Sequence, residues 1–168
     1  MGCTVGGIYA PERRSGRTRI GFDICDINSG ECWRLARVDC RSPVRVGRYG
    51  VCIDEASAAA DRLLEIAKIS DIVIIDEIGP MELLVPRLRR AIESLIMSSK
   101  PIVAVVHRRL RQTHPALYSS IERLGPVIRL TRETRDAIRS EALAKARVLA
   151  LEACGDKRRK STAKATGP

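Results

Sequence analysis

Aromatic side chains are scarce: one Trp, three Tyr and one Phe make up 3% of the 168 residues. So few rings argue against a stacking platform for single-stranded nucleic acid. Histidine is scarcer still, with only His107 and His114, both far in sequence from any cysteine. The six cysteines (Cys3, Cys25, Cys32, Cys40, Cys52 and Cys154) include no CxxC pair, so the usual zinc-ribbon spacing is missing. A zinc set drawn from Cys25, Cys32 and Cys40 would need an unusual spacing, and buried or half-buried free thiols in a reducing cytoplasm are the expectation. No apolar run approaches the length of a membrane span. The first residues lack the charged-then-apolar order of a secretory signal, and no internal repeat is visible. A cytoplasmic location is expected.

What is present describes a globular domain. Hydrophobic residues make up 45% of the chain and charged residues 30%, a balance that supports one core of ordinary size. One domain is expected over residues 1–153. From residue 154 to 168 the composition shifts to Lys, Arg, Ser, Thr, Ala and Gly with no apolar stripe, which predicts a basic, disordered tail. The net charge of +10 suits an anionic partner, whether nucleotide, nucleic acid or acidic lipid, without choosing among them.

Residues 4–9 read as a short strand and residues 11–17 as a basic loop. Residues 19–27 and 31–38 alternate around the turn chemistry of Asn28-Ser29-Gly30 and predict an antiparallel hairpin. In that alternation Asp23 and Asp26 read as solvent-facing. Residues 41–49 read as a loop. Asp54 offers an N-cap to a helix with an apolar stripe at Ala56, Ala59, Ala60, Leu63, Leu64 and Ala67. Helices are also expected after Pro86, from about His114 to Leu124, and from Thr131 to about Ala153. Between them lie apolar runs at residues 72–75, 102–106 and 127–130. Strand, helix, strand, helix, strand, helix predicts an α/β fold with a parallel sheet, in which all three runs lie side by side.

The densest of these runs is Ile72-Val73-Ile74-Ile75-Asp76-Glu77-Ile78-Gly79. Four β-branched residues without alternation suit a strand buried on both faces. Two carboxylates follow at its C-terminal end, where open α/β sheets bind ligands. Acids at a buried strand end are costly unless a cation meets them. A magnesium ion carrying a phosphate chain would do so, the arrangement of a Walker B strand. Two acids opening a loop ahead of a helix N-terminus is the plainer reading.

An ordered series of segments resembles one family, the P-loop nucleoside-triphosphatases first described from thermophiles, which have a human cancer-related relative. The series comprises GGIYAPE from Gly6, RIGFDICDINSGE from Arg19, RVGRYGV from Arg45, IVIIDEIGPMEL from Ile72, KPIVAVVH from Lys100, His114-Pro115 and LTRETRDAI from Leu130. The resemblance implies a RecA-like three-layer fold, mostly parallel with an edge hairpin, and slow hydrolysis of ATP, GTP and other nucleoside triphosphates with Mg2+. It implies that Ile72, Val73, Ile74, Ile75, Asp76, Glu77, Ile78 and Gly79 form a nucleotide-binding segment. Asp76 would hold Mg2+ through water and Glu77 would be the general base. The family's opening strand, its GxxxxGK[ST] loop and the helix after it have no counterpart. Gly2 to Gly7 keeps the two-glycine spacing, but Ile8 and Tyr9 stand where Lys and Ser or Thr belong. An N-terminally truncated reading frame or a fragment is the expectation, inactive as it stands because the amide cradle and its lysine are missing.

Arg45, Arg48, His107 and Arg108 are candidate phosphate contacts, with Arg109 and Arg111 on the same basic loop as Arg108. For each arginine a solvated surface charge is the alternative, and for His107 a structural role at a strand end. Beside the nucleoside-triphosphatase stand two other readings: a catalytically dead interaction module, and a basic nucleic-acid-binding protein. No membrane partner is expected.

Overall fold

The apolar run at the middle of the chain forms strand β7 (Ile72–Ile78). It belongs to an eight-stranded sheet in a computed structural model that describes residues 2–165, with side chains through residue 155. The two neighbours of β7, β1 (Val5–Tyr9) and β8 (Ile102–Val106), run parallel to it. The close approach of β1 to β7 depends on Gly7. Its φ is +153°, and a Cβ there would sit 1.9 Å from the Ile74 carbonyl oxygen, so only glycine fits.

The predicted hairpin is β3 (Thr18–Asp26) with β4 (Cys32–Arg37), antiparallel. Strand β2 (Glu12–Ser15) pairs with β3. The stretch expected to be a loop contains β5 (Arg45–Val46), which pairs with β6 (Tyr49–Val51), and β6 joins the sheet on β4. The order is β5-β6-β4-β3-β1-β7-β8. The sheet is thus mixed, a parallel part carrying an antiparallel wing.

Helix α1 (Ile53–Ile69) buries Ala56, Ala59, Ala60, Leu63, Ile66 and Ala67. It starts one residue ahead of Asp54, with Cys52 at the N-cap position and Asp54 in the first turn, where its charge still favours the helix dipole. After β7 come the short α2 (Pro80–Leu83) and then α3 (Pro86–Ile96), each with proline in its first turn. Leu88, Ala91, Ile92, Leu95 and Ile96 of α3 are buried, facing α1 across the core. The short α4 (Leu110–Thr113) and α5 (Pro115–Leu124) follow β8. Helix α6 (Arg135–Ala165) begins after a Thr131–Thr134 turn, in which the Thr134 N–H donates to Thr131 Oγ1 at 3.2 Å. Its backbone continues through residues 154–165, part of the stretch expected to be a disordered tail; Met1 and residues 166–168 lie outside the described residues.

Three further expectations are corrected. The run at residues 127–130 forms no strand. A strand exists by pairing with a neighbour, and the described sheet ends at β8, leaving Val127 and Leu130 exposed. Asp23 and Asp26 do not face solvent: they are 4% and 0% exposed. A register shift between Phe22 and Asp23 breaks the alternation, and arginines from other elements meet the acids. Arg13 and Arg37 pair with Asp23, and Arg62 of α1 reaches Asp26 at 2.8 Å. Burial raises the Asp26 carboxyl, but bonds from the Asn28 N–H, Arg62 and Ser29 hold it below the usual carboxylate range. Finally, four thiols are not free. Cys25 and Cys32 are register partners across β3 and β4 and are bridged, as are Cys3 and Cys154. Cross-strand pairing puts the first two within bridging reach, which removes the Cys25, Cys32, Cys40 zinc set.

Helices α1 and α3 cover one face of the parallel strands. Residues aligned on parallel strands share a face. Tyr9, Asp76 and Val105 are so aligned, as are Ile74 and Val103. On this second face Val5 and Tyr9 are each 38% exposed, Val103 40% and Val105 50%.

Candidate active site

The parallel strands deliver their C-terminal ends to one edge, where Asp76, Glu77 and His107 emerge. Val73 and Ile75 anchor β7 in the core with no exposure, Ile72 is 5% exposed and Ile74 half-buried. Asp76 is exposed on the uncovered face. A register shift between Asp76 and Ile78 breaks the ladder to β8, and the Asp76–Glu77 peptide bond is cis. Glu77 is half-buried and Ile78 fully buried. The adjacent acids occupy different environments, Asp76 exposed and Glu77 half-buried.

Gly79 precedes α2 in extended conformation, and the single turn of α2 carries Glu82 back beneath it. A Cβ on Gly79 would lie 2.6 Å from Glu77 Oε1 and 2.9 Å from Glu82 Oε2. The two carboxyl groups therefore border the same small volume, which a side chain at position 79 would fill. Glu82 is 4% exposed. Burial pushes its carboxyl up to about 7, and the charges of Glu77 and Asp76 push the same way, against hydrogen bonds from the backbone at Glu82 and Gly79. Burial also raises Glu77; His107 opposes that and Asp76 adds to it.

His107 ends β8. Its N–H donates to the Ile78 carbonyl at 3.0 Å, stitching the two strand ends together. Its Nδ1 accepts the Arg109 N–H at 3.3 Å. Arg108 is exposed in the following turn, on the same edge as the carboxylates. Arg45 and Arg48 are not brought there. They belong to the β5–β6 hairpin, with β6, β4, β3 and β1 between β5 and β7. Arg45 donates to the Arg48 carbonyl at 2.6 Å, and Arg48 to the Arg19 carbonyl while lying over the Tyr49 ring.

The donor set is hard oxygen: an exposed carboxylate on Asp76 and a half-buried one on Glu77. That chemistry fits Mg2+, which takes one or two carboxylates and completes its shell with water and phosphate oxygens. Glu82 is the site residue that sequence reasoning missed. Its signal was an acid one turn beyond the Gly-Pro pair, on a segment that reads as a surface turn until α2 folds it inward.

A family model described as NTPase matches residues 1–143. The nucleoside-triphosphatase THEP1 of Methanopyrus kandleri is 41% identical over 144 residues, which is 84% of this chain and 78% of that protein. THEP1 of Ignicoccus hospitalis is 40% identical over 142 residues, again 84% of this chain and 79% of that protein. The crystal structure of THEP1 from Aquifex aeolicus aligns with a TM-score of 0.69 at 29% identity, covering 85% of this chain and 84% of that one.

Proposed function

The chain belongs to the NTPase family, and from that premise we propose that its β7 edge is the metal and water-activating half of a site hydrolysing ATP, GTP and other nucleoside triphosphates to diphosphate and phosphate. The observation that carries this is the separation of two adjacent acids at one strand end, Asp76 exposed and Glu77 half-buried with its proton affinity raised by burial. Asp76 would hold Mg2+ through water. Glu77 orients the attacking water and takes its proton. Its raised proton affinity suits a base better than an ordinary surface glutamate would be suited. Glu82, its carboxyl pushed by burial up to about 7, backs Glu77 without adding a full second charge beside it. His107 and Arg108 follow β8 to the same edge and are assigned to the phosphate oxygens. When bound, Mg2+ neutralises charge on the phosphate chain.

The sequence contains no GxxxxGK[ST] run. That loop's amides and lysine normally hold the β- and γ-phosphates, so turnover is assigned to the chain only together with such a loop. The nucleic-acid reading rests on net charge. It is weakened by arginines already paired with acids of the chain: Arg13 and Arg37 on Asp23, Arg62 on Asp26, Arg34 on Glu55.

Titration with a fluorescent nucleotide analogue, with and without Mg2+, tests the reading. The chain as given is expected to bind weakly. A version extended upstream by a strand, GxxxxGK[ST] loop and helix is expected to bind at least about tenfold tighter with Mg2+. Equal affinity of the two, or binding that ignores Mg2+ and collapses only with salt, would contradict it.

A further inference from the structure

Cys40 and Cys52 are the two cysteines outside the bridged pairs. They are brought together by the β5–β6 hairpin. Gly50 of β6 packs on Cys40 so closely that a Cβ there would lie 2.1 Å from the Cys40 carbonyl oxygen and 3.4 Å from the Cys40 Cβ. The Val51 N–H donates to the Val44 carbonyl at 2.9 Å, and the Cys52 N–H to the Leu35 carbonyl at 2.9 Å. These bonds fix where the Cys52 side chain starts. Its thiol is 3.9 Å from the Gly50 carbonyl, and Gly50 is the residue packed on Cys40. One thiol is reachable and its partner is not: Cys40 is half-buried and Cys52 buried. Burial, with Cys40 alongside, pushes the Cys52 thiol up to about 12, so it stays protonated and Cys40 is the thiol that meets a small disulfide first.

We propose that Cys40 and Cys52 form a dithiol–disulfide site, oxidised by a small disulfide such as glutathione disulfide and closing the loop that carries Arg45 and Arg48. The Cys40 thiolate attacks a sulfur of the small disulfide and releases one small thiolate, leaving a mixed disulfide on Cys40. The Cys52 sulfur attacks the Cys40 sulfur, and its proton passes to the departing small thiolate. The second small thiolate leaves, and the Cys40–Cys52 bond forms. Two protein thiols are oxidised and one small disulfide is reduced to two thiols.

The full chain, incubated with glutathione disulfide, acid-quenched, alkylated in denaturant and digested with trypsin without reduction, tests this by mass spectrometry. Cys40 falls in residues 38–41 and Cys52 in residues 49–62, with cleavage sites between them at Arg41, Arg45 and Arg48. Cys25 and Cys32 share residues 20–34 and cannot be confused with this pair. More than half of the two alkylated peptides is expected to be replaced by the linked pair. In Cys52→Ser the glutathione adduct is expected to stay on Cys40. Glutathione persisting on Cys40 of the natural chain with Cys52 alkylated, both thiols alkylated after oxidation, or no adduct in Cys52→Ser would overturn the proposal.

Discussion

Glu82 carries a chemical load out of proportion to its place in a four-residue helix. Its carboxyl is buried beside Glu77, and burial pushes it up to about 7, against about 4.3 in an unfolded chain. A folded state that binds the proton more tightly than the unfolded state is most stable on the acid side of both values. The contribution is whole below the unfolded value and fades as pH rises through about 7. Unfolding free energy from urea titration is therefore expected to fall between about pH 5 and about pH 8 by on the order of 1 kcal/mol or more. Glu82→Gln, which keeps the shape without the charge, is expected to flatten that slope. An equal slope in the variant would mean that other groups set it. Asp23 and Asp26 carry a related lesson. Local alternation assigned them to solvent, because a bulge at Phe22–Asp23 and arginines from β2, β4 and α1 are invisible within one strand's sequence. The placement of Asp76 and Glu77 at the end of a buried strand was legible, since its cause, a run of β-branched residues ending in acids, is written in consecutive positions.

At the scale of elements, the two faces of the parallel strands differ in what covers them. Ile75 is fully buried between neighbouring strands and the helix layer, whereas Val105 on the uncovered face is 50% exposed. Removing a buried aliphatic side chain loses transfer energy and leaves a cavity. Ile75→Ala is thus expected to lower unfolding free energy by about 2–5 kcal/mol, and Val105→Ala to change it by no more than about 0.5 kcal/mol. Chemical denaturation of the two variants checks this. Similar losses would mean that the second face is covered in solution. The helices were read well from sequence, because α1, α3 and α5 each have a stripe of helical period, and in α3 and α5 a proline at the start. The run at residues 127–130 was misread as a strand because a strand needs a partner, and sequence states only the willingness to pair. The β5–β6 hairpin was missed for the converse reason: two residues of β5 are too few for alternation to register.

The whole molecule presents a mixed sheet with helices α1 and α3 on one face, exposed valines on the other and β8 at its edge. Parallel strands are ordinarily covered on both faces, and an edge strand leaves backbone N–H and C=O groups open to a further strand. The uncovered face and open edge flank Asp76 and His107, the side from which a phosphate loop would complete the site. The sequence raises the same expectation, from family segments arriving in order without a GxxxxGK[ST] run. Strand order could not be read there, because nothing local places β1 beside β7 across the intervening hairpin and helix.

Phosphate release from ATP with Mg2+, measured on four proteins, tests the central claim most directly: the given chain, the chain extended by a strand, GxxxxGK[ST] loop and helix, and the extended chain bearing Glu77→Gln or Asp76→Asn. The account predicts negligible release from the given chain and Mg2+-dependent release from the extended one. It predicts that Glu77→Gln loses turnover by about 100-fold or more while retaining nucleotide, because an amide keeps the shape but takes no proton. Asp76→Asn is predicted to weaken both nucleotide retention and rate through the metal. Robust release from the given chain, or full activity in the extended Glu77→Gln protein, would contradict it.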